Sequence, residues 1–212
     1  MAIDVVEGKA VTVRFDGSRC IHSRRCVMGA PTAFRANVKG SWIDPDSVEA
    51  EAVMRVALAC PSGAITVERR DGGTPEGPPA ANQMQVRENG PLAIHADLEI
   101  AGQGRMYRAT LCRCGMSKSK PFCDNSHVAV GFVATGEPAA REMALGIPDL
   151  TGPVLVEPQP NGPLKITGRL EVASGTGRAV NRIEKAFFCR CGHSANKPYC
   201  DGSHKRVGFR SE

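Results

Sequence analysis

Aromatic residues are scarce in this chain. They make up 5% of its 212 residues, with 1 Trp and 2 Tyr. So few flat side chains, with no dense basic stripe beside them, argue against a stacking platform for single-stranded nucleic acid. The net charge of +5 is a mild excess that sits in the C-terminal part, and no nucleic-acid partner is expected. No apolar run approaches 18 residues, so no spanning helix and no membrane association are expected. The opening MAIDVVEGKAVTVRF lacks a basic stretch followed by an apolar one, so no export signal is visible. A soluble protein in the reducing cytoplasm is therefore expected, where cysteines serve metals or catalysis more often than disulfides. No nucleophile–base pair and no phosphate-binding loop occurs, so no enzymatic activity is expected.

What the chain has in excess is Gly (23), Pro (15) and Cys (9). Gly and Pro together are about 18% of the residues against a usual ~12%, which argues against a helical bundle, a coiled coil or a large α/β enzyme. The breaker-rich DGGTPEGPPAAN at 71–82 reads as a linker. Before it, VTVRF (11–15) and AITVE (64–68) read as strands. DPDSVEAEAVMRVALAC (44–60) reads as one helix, capped by Asp44 with Pro45 in the first position, and Val48, Ala52, Val53 and Val56 form an apolar stripe. After the linker the chain repeats itself. Asn89-Gly-Pro-Leu92 recurs as Asn161-Gly-Pro-Leu164, LEI (98–100) as LEV (170–172), CRCG (112–115) as CRCG (189–192), and Gly131-Phe132 as Gly208-Phe209. The second copy carries about five extra residues between Val172 and Cys189. The alternating LAIHADLEI and LKITGRLEV predict paired strands. The expected class is α+β, with a small mixed domain at 1–70, a linker at 71–83, β-rich repeats at 84–135 and 154–212, and a connector at 136–153.

The nine Cys fall into three groups of three. Two groups lie in CRCGMSKSKPFCDNSH (112–127) and CRCGHSANKPYCDGSH (189–204). Each offers three thiolates and one imidazole. Cys-x-Cys puts two sulfurs on the same side of an extended segment, while the later Cys and His, four apart, share one face of a helical turn. Asp124 and Asp201 are placed to cap that turn. Gly202, and Asn125 as the next-best residue, permit a left-handed backbone there. This motif resembles the CDGSH iron–sulfur family, the mitoNEET-like proteins. The resemblance covers about residues 84–131 and 154–209. It implies one 2Fe–2S cluster per copy, held by Cys112, Cys114, Cys123 and His127 and by Cys189, Cys191, Cys200 and His204. The family usually forms a two-fold dimer, so two copies in one chain imply an internal pseudo-dimer and a monomer. A structural zinc site is the alternative, since Cys3His also suits zinc, although C-x-C fits the usual zinc spacing poorly. Ser117 and Ser194 are candidates for hydrogen bonds to cluster sulfur. Arg113, Arg190, Lys120 and Lys197 read either as charges that offset a cluster or dock an acidic partner, or as solvated loop charge, the second being the simpler reading.

The third group is Cys20-Ile-His-Ser-Arg-Arg-Cys26 with Cys60-Pro61. It resembles divergent single-cluster ferredoxin domains, with Ser23 where a middle Cys is usual. Three thiolates suit a 3Fe–4S cluster. A 4Fe–4S cluster requires His22, Ser23 or water at the fourth iron. The functional expectation is a multi-cluster electron carrier working between a reductase and an acceptor. Its alternatives are a cluster donor to apo-protein acceptors, a redox or pH sensor, and a zinc-stabilised interaction module.

Overall fold

The computed structural model describes residues 3–139 and 149–211, and the chain divides into two compact units, Met1–Gly77 and Pro78–Glu212. In the first unit, β1 (Asp4–Glu7), β2 (Val11–Phe15) and β3 (Ile65–Arg69) form an antiparallel sheet in the order β1-β2-β3. The valines of VTVRF explain its central place: Val11 and Val13 point into a core with Phe34, Val53, Val56 and Ile65. Trp42 meets the Phe15 ring edge-on at 4.9 Å.

The single helix expected over 44–60 is two elements. Pro45–Ser47 forms a 3-10 turn, Val48 is extended, and α2 runs Ala50–Ala59 from Glu49. Asp44 does not cap through its side chain. Its carbonyl instead accepts from the Ser47 N–H at 3.3 Å and from the Ser47 hydroxyl at 2.9 Å. The extended Val48 breaks the helical period, so the buried stripe is Val53, Met54, Val56 and Ala57. A short helix that composition does not announce, α1 (Arg25–Gly29), carries Cys26 and follows Arg24 in a left-handed conformation (φ 60°).

The second unit is a six-stranded sheet woven from both repeats: β4 (Gln83–Val86), β5 (Leu92–Ile100), β6 (Gly104–Leu111), β7 (Pro153–Pro158), β8 (Leu164–Ala173) and β9 (Ala179–Phe188). LAIHADLEI becomes β5 with strict alternation of buried and less buried residues. Each first strand pairs antiparallel with its own copy and parallel with the other, β4 with β5 and β8, β7 with β8 and β5. The hairpins β5–β6 and β8–β9 are equivalent. The extra residues of the second copy lengthen its hairpin, one in β8, two in the tip and two in β9. One core takes Leu92, Ile94, Leu98 from the first copy and Leu164, Ile166, Leu170 from the second, all fully buried. Each such side chain contributes about 1.5–3 kcal/mol when taken from water, so a shared core ties the copies strongly.

Asn82, which composition assigns to the linker, is a tie of this unit instead. It is buried, and its side-chain amide donates to the carbonyls of Gly152 and Arg169 while its oxygen accepts from the Asp97 N–H. Much of the connector at 136–153 lies outside the described residues. Among those described, no helix is long and apolar enough to cross a membrane.

Candidate metal centres

The β6 strand ends at Leu111 and delivers Cys112. The loop that follows is sewn back to it: Cys112 N–H donates to Pro121 O at 2.9 Å and Cys123 N–H to Thr110 O at 2.8 Å. The second copy repeats this with Cys189 to Pro198 and Cys200 to Phe187, both 2.8 Å. These bonds bring the third cysteine beside the first two. Asp124 then holds the loop and the turn together, accepting from Lys118 N–H (2.8 Å) and Ser126 N–H (3.0 Å). Asp201 does the same with Ala195 and Ser203. Asn125 (φ 72°) and Gly202 (φ 87°) both adopt the left-handed conformation, which launches the turns α3 (Ser126–Ala129) and α4 (Ser203–Arg206) that carry the histidines.

The donors fall into pairs. Cys112 Sγ and Cys114 Sγ lie 3.8 Å apart, as do Cys189 and Cys191. Cys123 Sγ and His127 Nδ1 lie 3.4 Å apart, as do Cys200 and His204. A tetrahedral metal with thiolate bonds near 2.3 Å and imidazole bonds near 2.05 Å spaces two sulfurs by about 3.8 Å and a sulfur–nitrogen pair by about 3.6 Å. Each pair thus has the bite for one metal. Among the described residues no group of three or more His, Cys, Asp or Glu converges as a mononuclear site requires. Two two-donor bites fit a binuclear iron–sulfur cluster better than a single zinc ion. Nδ1 is the histidine nitrogen that faces the paired sulfur. In each copy the histidine is half-buried and both C-x-C sulfurs are buried, so the imidazole end is the one nearest water.

Backbone N–H groups at 3.4 Å reach Cys114, Cys123 and Cys200 from Met116, Asn125 and Gly202. A hydrogen bond from the Cys114 thiol lowers Cys112, and one from the Cys191 thiol lowers Cys189, so the first cysteine of each pair is the readier thiolate. Burial pushes Cys123 up to about 12, so that thiolate needs a metal to form. The hydroxyls of Ser117 and Ser194 are committed elsewhere: they donate to Phe122 O and Tyr199 O, each at 2.6 Å. Their peptide N–H groups, not the hydroxyls, lower Cys112 and Cys189.

Arg113 and Arg190 are not solvated. They are 1% and 3% exposed. Arg113 donates to the carbonyls of Gly90, Thr135, Arg87 and Ala134, and Arg190 to those of Gly162 and Gln159. Each guanidinium lies 5.4 Å from a phenylalanine ring, Phe132 or Phe209. Burial lowers Arg113 to about 10, against the attraction of Cys189 and Cys114. Sequence reasoning missed this. The signal was an Arg between the paired cysteines with a Phe at the same offset in both copies. Lys120 is half-exposed, and Lys197 Nζ donates to Ser194 O at 2.6 Å.

The two C-x-C-G loops touch. A Cβ on Gly115 (φ 85°) would sit 2.8 Å from Cys191 O, and one on Gly192 (φ 84°) 2.6 Å from Cys114 O. Only glycine fits either position.

In the first unit, Cys20, Cys26, Cys60, His22 and Ser23 line one cavity of ≈ 670 Å³ with Phe15 and Trp42. Burial raises Cys20 and Cys26, and the Cys60 charge raises both further. Thiolates at these positions would be buried close to one another, which fits a group that brings positive charge. Cys20 Sγ lies 4.0 Å from His22 Nδ1, and His22 is in the left-handed region (φ 51°).

Comparison with known proteins agrees with this division. The family "Iron-binding zinc finger CDGSH type" matches residues 89–128 and 161–205. The family "Divergent 4Fe-4S mono-cluster" matches residues 6–70. The chain is 40% identical over 58 residues to "Uncharacterized protein YjdI" of Escherichia coli (strain K12), covering 27% of this chain and 75% of that protein. It is 39% identical over 46 residues to "CDGSH iron-sulfur domain-containing protein 1" of Rattus norvegicus, covering 21% of this chain and 39% of that protein. The chain carries the CDGSH-type iron–sulfur motif in tandem, behind an N-terminal region that matches the divergent 4Fe–4S mono-cluster family.

Proposed function

We propose that this iron–sulfur protein is a multi-cluster electron carrier, with one 2Fe–2S cluster in each repeat and one cluster in the N-terminal unit. The observation that carries the reading is the pairing of donors, two sulfurs at 3.8 Å and a sulfur with an imidazole at 3.4 Å, made twice. When bound, the clusters supply one-electron redox chemistry. The chain's part is to hold them. Cys112 and Cys114, or Cys189 and Cys191, fix the buried end, while the partner cysteine and the histidine fix the outer end. Arg113 and Arg190 place buried positive charge beside both sets of thiolates. The reciprocal strand pairing and the Gly115–Gly192 contact support an internal pseudo-dimer, with both copies in one folded unit.

For the N-terminal unit, Cys20, Cys26 and Cys60 are the thiolate ligands. The family description and the presence of His22 and Ser23 in the same cavity favour 4Fe–4S, while the three thiolates alone favour 3Fe–4S. A second reading, a donor of intact clusters to apo-protein acceptors, is favoured by the partial exposure of His127 and His204. One experiment separates the two. Anaerobic holoprotein is reduced and reoxidised in a potentiometric titration, then incubated with an apo-ferredoxin. Reversible reduction with no loss of iron supports the carrier. Transfer of clusters to the apo-ferredoxin without reversible reduction supports the donor.

A further inference from the structure

The two copies share ligands and backbone but not the surface around the histidine. After His127 the chain reads Val128-Ala129-Val130-Gly131-Phe132-Val133, and after His204 it reads Lys205-Arg206-Val207-Gly208-Phe209-Arg210. The path is the same in both. Phe132 N–H donates to His127 O and Phe209 N–H to His204 O, each at 3.0 Å. The tail therefore folds back on the histidine turn, and positions 128, 129 and 133 correspond to 205, 206 and 210. All six residues are exposed. In the first copy they are apolar, with Val128 66% and Val133 80% exposed. In the second they are three cations around the outer end of the metal site. Among the described residues no carboxylate pairs with them, and Arg206 reaches only the Ser203 hydroxyl, at 3.3 Å.

We propose that the His204 face is the docking surface for an acidic electron-transfer protein and that the His127 face is not. The inference rests on the carrier reading above and adds direction to it. Unpaired exposed cations repel one another, and they steer an anionic partner toward the spot they surround. The spot here is the histidine end of one centre. Three cations on one turn and the tail behind it make too small a footprint for duplex nucleic acid, whose binders neutralise many phosphates along a stripe.

The test measures binding of an oxidised, acidic plant-type ferredoxin to the holoprotein at ionic strengths of about 10 mM and 150 mM, where the Debye length is about 30 Å and 8 Å. Two variants are compared, K205Q/R206Q/R210Q and V128E/A129E/V133E. Each lowers the net charge by three units, so an effect of net charge alone would be equal in both. The proposal expects binding by wild type to weaken at least tenfold with salt. It expects the Gln variant to lose about tenfold at low salt and most of the salt dependence, and the Glu variant to change less than about threefold. Both must keep the wild-type visible spectrum, and Arg210→Gln alone, outside the ligand turn, is expected to lose about two- to threefold. Equal weakening by both triple variants, salt-independent binding by wild type, or tighter binding of a 20-base-pair DNA duplex at the same residues overturns the proposal. If wild-type clusters cannot be reversibly reduced while the docking pattern holds, it is the carrier reading that fails.

Discussion

The first and second repeats reach the same metal geometry from different residues. The donor spacings agree at 3.8 Å and 3.4 Å, although Asn125 stands where Gly202 does and an apolar tail stands where a basic one does. What the copies have in common is backbone work: the strand-to-loop bonds of Cys112 and Cys189, the Asp brackets, the left-handed residue and the buried arginine. Ligand geometry follows from these. The rim does not, and is free to carry a different surface in each copy.

The comparison breaks most readily at the contact between the copies. Gly115→Ala or Gly192→Ala places a Cβ against a cysteine backbone of the other copy, which cannot swing aside. The left-handed conformation alone costs about 1–2 kcal/mol, and the overlap adds to it. Each single change is expected to lower the melting temperature and to deplete clusters from both copies. Loss confined to the substituted copy would mean that the copies fold independently.

Next come the arginines, where the copies differ. Arg113→Met leaves four carbonyls without their donor and Arg190→Met leaves two. A buried group stripped of its partner costs about 1–3 kcal/mol, and relaxation recovers part. Denaturant unfolding is expected to show losses of about 3 kcal/mol or more at Arg113 and roughly half that at Arg190. Equal losses would contradict the unequal bonding.

The ligand histidines sharpen the equivalence. Burial, and then the Arg113 charge, lowers His127. The folded protein therefore binds fewer protons there than the unfolded chain between that lowered value and about 6.5. Its contribution is full above about 6.5 and is lost as pH falls through the folded value. Cluster loss, followed by visible absorption, is expected to accelerate as pH falls toward and below about 6.5, where protons compete for the ligating imidazole nitrogen. His127→Cys and His204→Cys are each expected to slow it at their own site and to lower that site's potential, because a fourth thiolate adds negative charge. Unchanged acid loss and unchanged potentials in both variants would remove histidine from the ligand sets.

The smallest effect is expected at Gly202→Asn. A Cβ there meets nothing within 4 Å, and Asn125 already holds the equivalent conformation. Less than about 1 kcal/mol of stability should be lost, with cluster content unchanged.

These differences explain what could be read from the residues. The ligand motifs were legible because their chemistry is local, all within one strand end, loop and turn. The alternation of LAIHADLEI gave β5. The partner strand GRMYRATL hid β6 because its buried residues cluster at one end instead of alternating. The helix over 44–60 broke because Val48 is extended, which apolar spacing does not reveal. The burial of Arg113 and Arg190 rests on carbonyls more than 20 residues away within their own copies, while the role of Asn82 and the glycine contact depend on a second copy arriving from far along the chain, and no local pattern encodes those meetings.

Paired donors in each copy are laid out to hold a binuclear cluster. Iron and acid-labile sulfide counts on anaerobic holoprotein, with EPR after reduction, test it most directly. The two repeats should contribute about four irons and four sulfides, and the N-terminal unit three or four more irons, for a total of about seven or eight irons per chain. Zinc at about three per chain, with no visible absorption and no EPR signal on reduction, would contradict it.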